Sequence, residues 1–198
     1  MATEKEYIKE IRRYEYSGLK RLWKSHLEKA ISEEFWDKGK LMEYAILRAF
    51  ELEGKGEGVT YPFSVKDKDT NITLEQIDGA VHVEGMYALV ECKDYTDTRI
   101  DVEPLAKMRN QLARRHGSTF GMFFSSTDYT IPAQILVRFM APQLIILWTR
   151  EDICHCMQNE CFIPCMKEKY RMAVEQCEYE YAYRMEKADF EMYSKPLF

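Results

Sequence analysis

Two short apolar runs, Ala80-Val81-His82-Val83 and Tyr87-Ala88-Leu89-Val90, lie on either side of Glu84-Gly85. They predict an antiparallel hairpin closed by a two-residue turn. Val83 then pairs with Met86. Counting outward places Asp78 of Gln76-Ile77-Asp78-Gly79 opposite Glu91 of Val90-Glu91-Cys92-Lys93. Directly opposed residues share a face, and Lys93, two positions beyond Glu91, shares it too. One face of one hairpin therefore carries two acids and a lysine where a buried strand should be apolar.

Two neighbouring carboxylates raise each other's pKa unless a cation lies between them. A set of oxygen donors suits Mg²⁺ or Mn²⁺. The bland alternative is a partly buried salt bridge, but buried ionic groups seldom improve stability over apolar replacements. Three of them on one hairpin point to chemistry. The Cys92 side chain, between Glu91 and Lys93, points to the other face and is expected in the core.

Asp78 in Gln-Ile-Asp-Gly, with Glu91-Cys92-Lys93, resembles the PD-(D/E)XK phosphodiesterase superfamily, most closely its Mrr-like (type IV) restriction endonuclease branch. Ile77 stands where the superfamily motif has proline. Glu43 in Gly39-Lys40-Leu41-Met42-Glu43 resembles the glutamate on the first helix of that core, and Gln111 the polar residue on the helix after the E-x-K strand. The resemblance covers roughly residues 38–150. It implies a Mg²⁺-dependent DNA endonuclease whose in-line hydrolysis leaves a 5′-phosphate. The Asp78 and Glu91 carboxylates and the backbone carbonyl of Cys92 would hold the metal, and Glu43 a metal-bound water or a second metal. Lys93 would orient the nucleophile or stabilise the transition state, and Gln111 would bond the phosphate or Lys93. Arg109, Arg114 and Arg115 are expected to contact flanking phosphates.

Elsewhere the hydropathy pattern predicts an α/β fold. A helix over 5–31 carries Ile8, Ile11, Leu19 and Leu22 on one stripe and Lys9, Arg13, Lys20 and Lys24 on another. The cationic stripe reads as a solvated face or a rail for a DNA backbone. A helix over 39–53 ends at Gly54, and a strand over 59–65 is broken by Pro62. After the hairpin, Asp101 caps a helix that runs to about Arg115. A strand over 120–125, a helix from Thr130 to about Met140, a strand over 144–148 and a helix start at Thr149-Arg150-Glu151-Asp152 follow. The order α-β-β-β-α-β-α-β is that of a restriction-endonuclease-like core, a mixed central sheet flanked by helices, with extra N- and C-terminal helices. Residues 1–37, 38–150 and 151–198 divide into helical extension, nuclease-like core and helical extension, in one compact domain. A long helix over 166–193, with Tyr170, Val174, Cys177, Tyr181, Ala188 and Met192 on one stripe, is expected to pack on the N-terminal helix or to form a homodimer seam.

The chain is 198 residues long and 46% hydrophobic, enough for a sizeable core. No apolar run approaches the roughly 18 residues of a membrane span. The charged start Thr3-Glu4-Lys5-Glu6 is no signal peptide, so a cytoplasmic protein is expected. Net charge is −5 but unevenly spread. Residues 30–98 hold seven Lys/Arg against fifteen Asp/Glu, a net −8. Residues 1–29 hold eight against five and residues 99–117 five against two, each a net +3. Binding to DNA should accordingly be modest and salt-sensitive. Cys154, His155, Cys156, Cys161 and Cys165 are a second candidate site, for zinc, although C-x-C-x4-C-x3-C lacks the usual C-x2-C pairs. Two further functions stay open: a catalytically silent nucleic-acid-binding or regulatory protein on a nuclease fold, and a zinc-stabilised interaction module.

Overall fold

Glu84 and Gly85 both adopt left-handed φ, 50° and 80°, the geometry of the tightest hairpin turn. Val83 pairs with Met86 and Gly79 with Val90, as the sequence predicts. The computed structural model describes residues 2–29, 35–37, 39–56 and 58–183. Among these, α1 (Glu4–Ile11), α2 (Tyr16–Leu27) and α3 (Lys40–Glu53) come first. Five strands follow: β1 (Val59–Thr60), β2 (Phe63–Lys66), β3 (Thr73–Ile77), β4 (Gly79–Val83) and β5 (Met86–Lys93). Then come α4 (Val102–Leu112), β6 (Thr119–Ser125), α5 (Ile131–Arg138), β7 (Ile145–Trp148), α6 (Arg150–Asn159) and α7 (Phe162–Gln176).

The central sheet runs β1-β4-β5-β6-β7. β4 is antiparallel to β1 and β5, while β5, β6 and β7 are parallel. This is the mixed sheet expected, in the expected order. Strands of a sheet covered on both faces read as continuous apolar runs: Phe120, Met122, Phe123 and Phe124 of β6 and all of β7 are buried. On one face Val90, Cys92, Phe124 and Trp148 pack with α1, α2, α3, α6 and α7. On the other, Leu89, Phe123, Ile145 and Leu147 pack with Leu105, Met108 and Leu112 of α4 and Val137 of α5. Cys92 thus lies on the face opposite Leu89, as its parity requires. Thr130 caps α5 and Thr149 forms a capping box with Asp152 at α6. Asp101 stands at the N-cap of α4, but its carboxylate accepts from the Thr130 hydroxyl at 3.1 Å.

Three expectations need correction. The N-terminal helix is two helices, broken between Ile11 and Tyr16. Arg48 of α3 donates from Nε to the freed Tyr14 carbonyl at 3.0 Å, and the buried stripe is Tyr7, Ile11, Leu19 and Trp23. The last helix stops at Gln176, where Cys177 takes a left-handed φ of 57°. Its buried face is Phe162, Cys165, Met166, Lys169 and Ala173, while Val174 is exposed. Its main neighbours among the described residues are α3, α6 and β7. Ala188 and Met192 lie outside the described residues. The chain beyond Cys177 returns along β7: Leu147 donates from its backbone N–H to Tyr179. The buried Lys169 ammonium holds this return, facing Asp152 at 2.9 Å and donating to the Leu147 and Tyr181 carbonyls. Finally, β2 and β3 form a separate antiparallel ribbon. β3 is mostly exposed, Leu74 included, so burial leaves no alternation there to betray it.

Candidate active site

Asp78 sits where the chain leaves one sheet for the other. Ile77 closes the ribbon opposite Phe63, and Gly79 opens β4 opposite Val90. A Cβ at Gly79 would lie 2.6 Å from Leu47 Cδ2 and 3.0 Å from the Thr60 carbonyl. Glycine alone lets this corner press against α3 and β1. The corner turns the Asp78 carboxylate onto the neighbouring strand, where Oδ2 accepts from the Cys92 backbone N–H at 2.9 Å.

Glu91 is 2% exposed. Its Oε1 accepts from Lys93 Nζ at 2.6 Å and from Lys107 Nζ of α4 at 3.3 Å. Lys93 Nζ also reaches the Cys92 carbonyl at 3.3 Å. Glu43, in the first turn of α3, accepts on Oε2 from Lys40 Nζ at 2.7 Å. Lys40 and Lys107 were not found from sequence. The three-residue step from Lys40 to Glu43 on one helix was a usable signal. Lys107 had none, since only the crossover brings α4 over β5.

The electrostatics join these groups. Burial, and then the charge of Asp78, pushes the Glu43 carboxyl up to about 7 against the pull of Lys40. Burial and the charge of Glu91 likewise raise Asp78, opposed by the Cys92 N–H. Burial works to lower the Lys93 ammonium, but Glu91 and Asp78 overcome it and hold it above its ordinary value. Three acids here carry more negative charge than a buried site tolerates without cations, and three lysines supply them.

Among the described residues, Asp78 Oδ1, Glu91 Oε2 and Glu43 Oε1 accept no hydrogen bond. Those oxygens and the Cys92 carbonyl are hard donors of the kind a divalent cation takes. The donor set therefore fits Mg²⁺ or Mn²⁺ in chemistry. As the side chains stand, however, no group of three or more His, Cys, Asp or Glu among the described residues forms a metal cage. That holds for the cysteines as well. Cys156, Cys161 and Cys165 are fully buried, whereas Cys154 is only half-buried, and all six cysteines are free.

The other residues singled out from sequence are placed differently. Gln111 is 3% exposed and donates to the Gln76 carbonyl at 3.2 Å, steadying the ribbon just before Asp78. That bond is to the backbone and not to an acid of the cluster. Arg115 meets Glu75 at 2.5 Å, and Arg114 bonds the other oxygen of the same carboxylate. Arg109 is exposed. In the N-terminal region Lys9 lies on α1, Arg13 in the break after it, and Lys20 and Lys24 on α2. Arg13 pairs with Glu10, Lys20 with Glu160 and Lys24 with Glu28.

No protein-family model matches the chain, and no curated protein matches it. Among solved structures it is similar to the DNA modification-dependent restriction endonuclease AspBHI, with 12% identity and a TM-score of 0.45 over 80% of this chain and 39% of that one. It is also similar to a protein of unknown function, AF1548, with 16% identity and a TM-score of 0.40 over 52% of this chain and 58% of that one. The chain thus spans less than two thirds of either structure it matches.

Proposed function

We propose that this protein is a Mg²⁺- or Mn²⁺-dependent DNA endonuclease that hydrolyses phosphodiester bonds, similar in kind to Mrr-like restriction enzymes. One observation carries this reading. Glu43 of α3, Asp78 at the corner between β3 and β4, and Glu91 of β5 meet at one end of the sheet, interact through their charges, and lie among Lys40, Lys93 and Lys107. A salt bridge made only for stability needs one acid and one base. Asp78, Glu91 and the Cys92 carbonyl would hold the metal, which supplies Lewis-acid stabilisation of the phosphate and a more acidic water. Glu43, whose carboxyl burial and the charge of Asp78 raise, would position a metal-bound water or take the proton of the attacking water. Lys93, charged throughout that range, places a positive charge where negative charge develops on the phosphate. Arg109, and Arg114 and Arg115 if they leave Glu75, would hold flanking phosphates. Incubating supercoiled plasmid, methylated and unmethylated, with the protein and Mg²⁺ or Mn²⁺ tests this. Metal-dependent nicking or linearisation is expected, and uncut plasmid under every metal condition would overturn it.

A second reading is favoured by the same ion pairs. Glu91 already holds two ammonium groups, and Glu75 holds two guanidinium groups. A silent scaffold that binds nucleic acid without cutting it would have its charges satisfied in this way. Such a protein would bind DNA equally well with Mg²⁺ and with EDTA.

A further inference from the structure

A pocket of about 430 Å³ opens beside the acid cluster, within the roughly 300–1,000 Å³ range of small-molecule sites. Its lining includes Asp94 and Tyr95, which follow β5, Ser126, which follows β6, and Arg150, the first residue of α6 two positions beyond β7. All three parallel strands thus send their following residues into one cavity, the place where open α/β sheets receive ligands. Trp36 and His26 close the far side.

The chemistry of this wall is mixed in a specific way. Trp36 is 8% exposed and stacks on Tyr7 at 5.2 Å with 16° between the rings, which fixes its plane. Tyr95 is 37% exposed, and its backbone is pinned because the Ser126 hydroxyl donates to its carbonyl at 2.8 Å. The Ser126 N–H in turn donates to the Lys93 carbonyl at 3.1 Å, tying the pocket to the acid site. His26 and Asp94 face each other at 3.3 Å, and the Arg150 side chain is exposed at the rim. Aromatic faces, a carboxylate, an imidazole and a guanidinium together suit a flat heterocycle with donors and acceptors on its edge. A bare phosphate has no use for Trp36 and Tyr95, and a lipid or apolar peptide has none for Asp94 and Arg150.

We propose that this pocket takes an unstacked nucleobase of the strand whose phosphate lies at Glu91 and Lys93, with Tyr95 as its stacking surface, the edge of Trp36 as an apolar wall, and Asp94 and Arg150 reading the edge of the base. The inference rests on the nuclease reading for the identity of the strand, but its test does not need cleavage. The full chain is titrated in Mg²⁺ buffer with each of the four 2′-deoxynucleoside 5′-monophosphates, and with deoxyribose 5-phosphate and inorganic phosphate as controls, following tryptophan fluorescence. Saturable binding of nucleotides is expected, unequal among the four bases, with neither control binding comparably. Tyr95→Ala should weaken it by about tenfold, the usual effect of removing a base-stacking ring. Arg150→Ala should change the order of preference among bases. Trp36→Leu, whose stack on Tyr7 contributes to the core, counts only if it melts like the parent. Deoxyribose 5-phosphate binding as tightly as the nucleotides, no saturation by any nucleotide, or parental affinity in Tyr95→Ala would each overturn the pocket. Nucleotide binding by a protein that leaves plasmid uncut would instead remove the nuclease reading and leave the pocket standing. Cleavage without nucleotide binding would remove the pocket alone.

Discussion

The Asp78 carboxylate accepts from the backbone N–H of Cys92 at 2.9 Å, so the residue that ends the ribbon is fastened to the strand that carries Glu91 and Lys93. This gives Asp78 two separable duties. Its acceptor oxygen fixes the corner, and its charge contributes to the cluster. Asp78→Asn keeps an acceptor of the same shape and removes the charge. It should melt within about 1 kcal/mol of the parent yet lose cleavage. Asp78→Ala removes both and should cost about 1–3 kcal/mol, since the Cys92 N–H is left buried without a partner. Equal urea midpoints for the two variants would show that the bond to Cys92 holds nothing.

The titration of Glu43 gives a pH dependence with a definite sign. Its carboxyl titrates at about 7 in the fold against 4.5 as the ordinary value. Between those pH values the native protein keeps a proton that the unfolded chain has lost. Stability from this group is therefore fully present below about pH 4.5 and is lost as pH rises through about 7. The whole effect is at most about 3 kcal/mol. Asp78, raised as well, acts in the same direction, so the comparison is made with Glu43→Gln. In EDTA the parent should lose stability over this window, and Glu43→Gln should lose distinctly less. Mg²⁺ should flatten the parent curve, because a bound cation favours the ionised carboxylates. Parallel curves for the two proteins would place Glu43 outside the cluster.

Lys93 and Lys107 share Glu91 Oε1, and they should part company on substitution. Lys93→Ala is expected to lower the cleavage rate by about 10²–10³-fold, the scale for removing one transition-state donor. In EDTA it should also destabilise the protein, because the buried Glu91 then keeps only the longer 3.3 Å contact to the more exposed Lys107. Added Mg²⁺ should restore most of that stability without restoring the rate. Lys107→Ala, at an exposed ammonium, should leave the melting temperature nearly unchanged. A Lys93→Ala protein that cuts at the parental rate would falsify the assigned role.

What could be read in advance follows from the range of the interactions involved. The turn at Glu84-Gly85 and the period of two fixed which residues of β4 and β5 share a face, and those are local rules. Glu43 could be picked only by resemblance, because its approach to Asp78 depends on how α3 packs against Gly79. The pairing of β2 with β3 was missed since β3 buries little, and burial is what imprints a pattern on sequence. The break between α1 and α2 was missed because the apolar spacing continues across it, while Arg48 of α3 satisfies the interrupted backbone from a distance. Glu75 as the partner of Arg114 and Arg115 had no sequence signal at all, being about forty positions away on a strand that was not foreseen.

That last pairing changes what Arg109 of α4 and the Arg114-Arg115 pair just beyond it are expected to do. Arg109 is exposed, whereas Arg114 and Arg115 already bond a carboxylate that is 7% exposed. Arg109→Ala should weaken binding of every DNA sequence by a similar factor and reduce the salt dependence by about one contact's worth, since phosphate contacts carry no base information. Replacing Arg114 and Arg115 together should weaken DNA binding further and also lower the melting temperature, because Glu75 is left partly buried without a cation. Glu75→Gln separates the two effects. It frees both guanidinium groups for phosphate and should tighten DNA binding while steepening its salt dependence. Filter-binding isotherms at several salt concentrations measure all three variants. If Glu75→Gln binds DNA no more tightly than the parent, and the double arginine variant loses stability but not affinity, then Arg114 and Arg115 serve the ribbon and the DNA does not cross this end of α4.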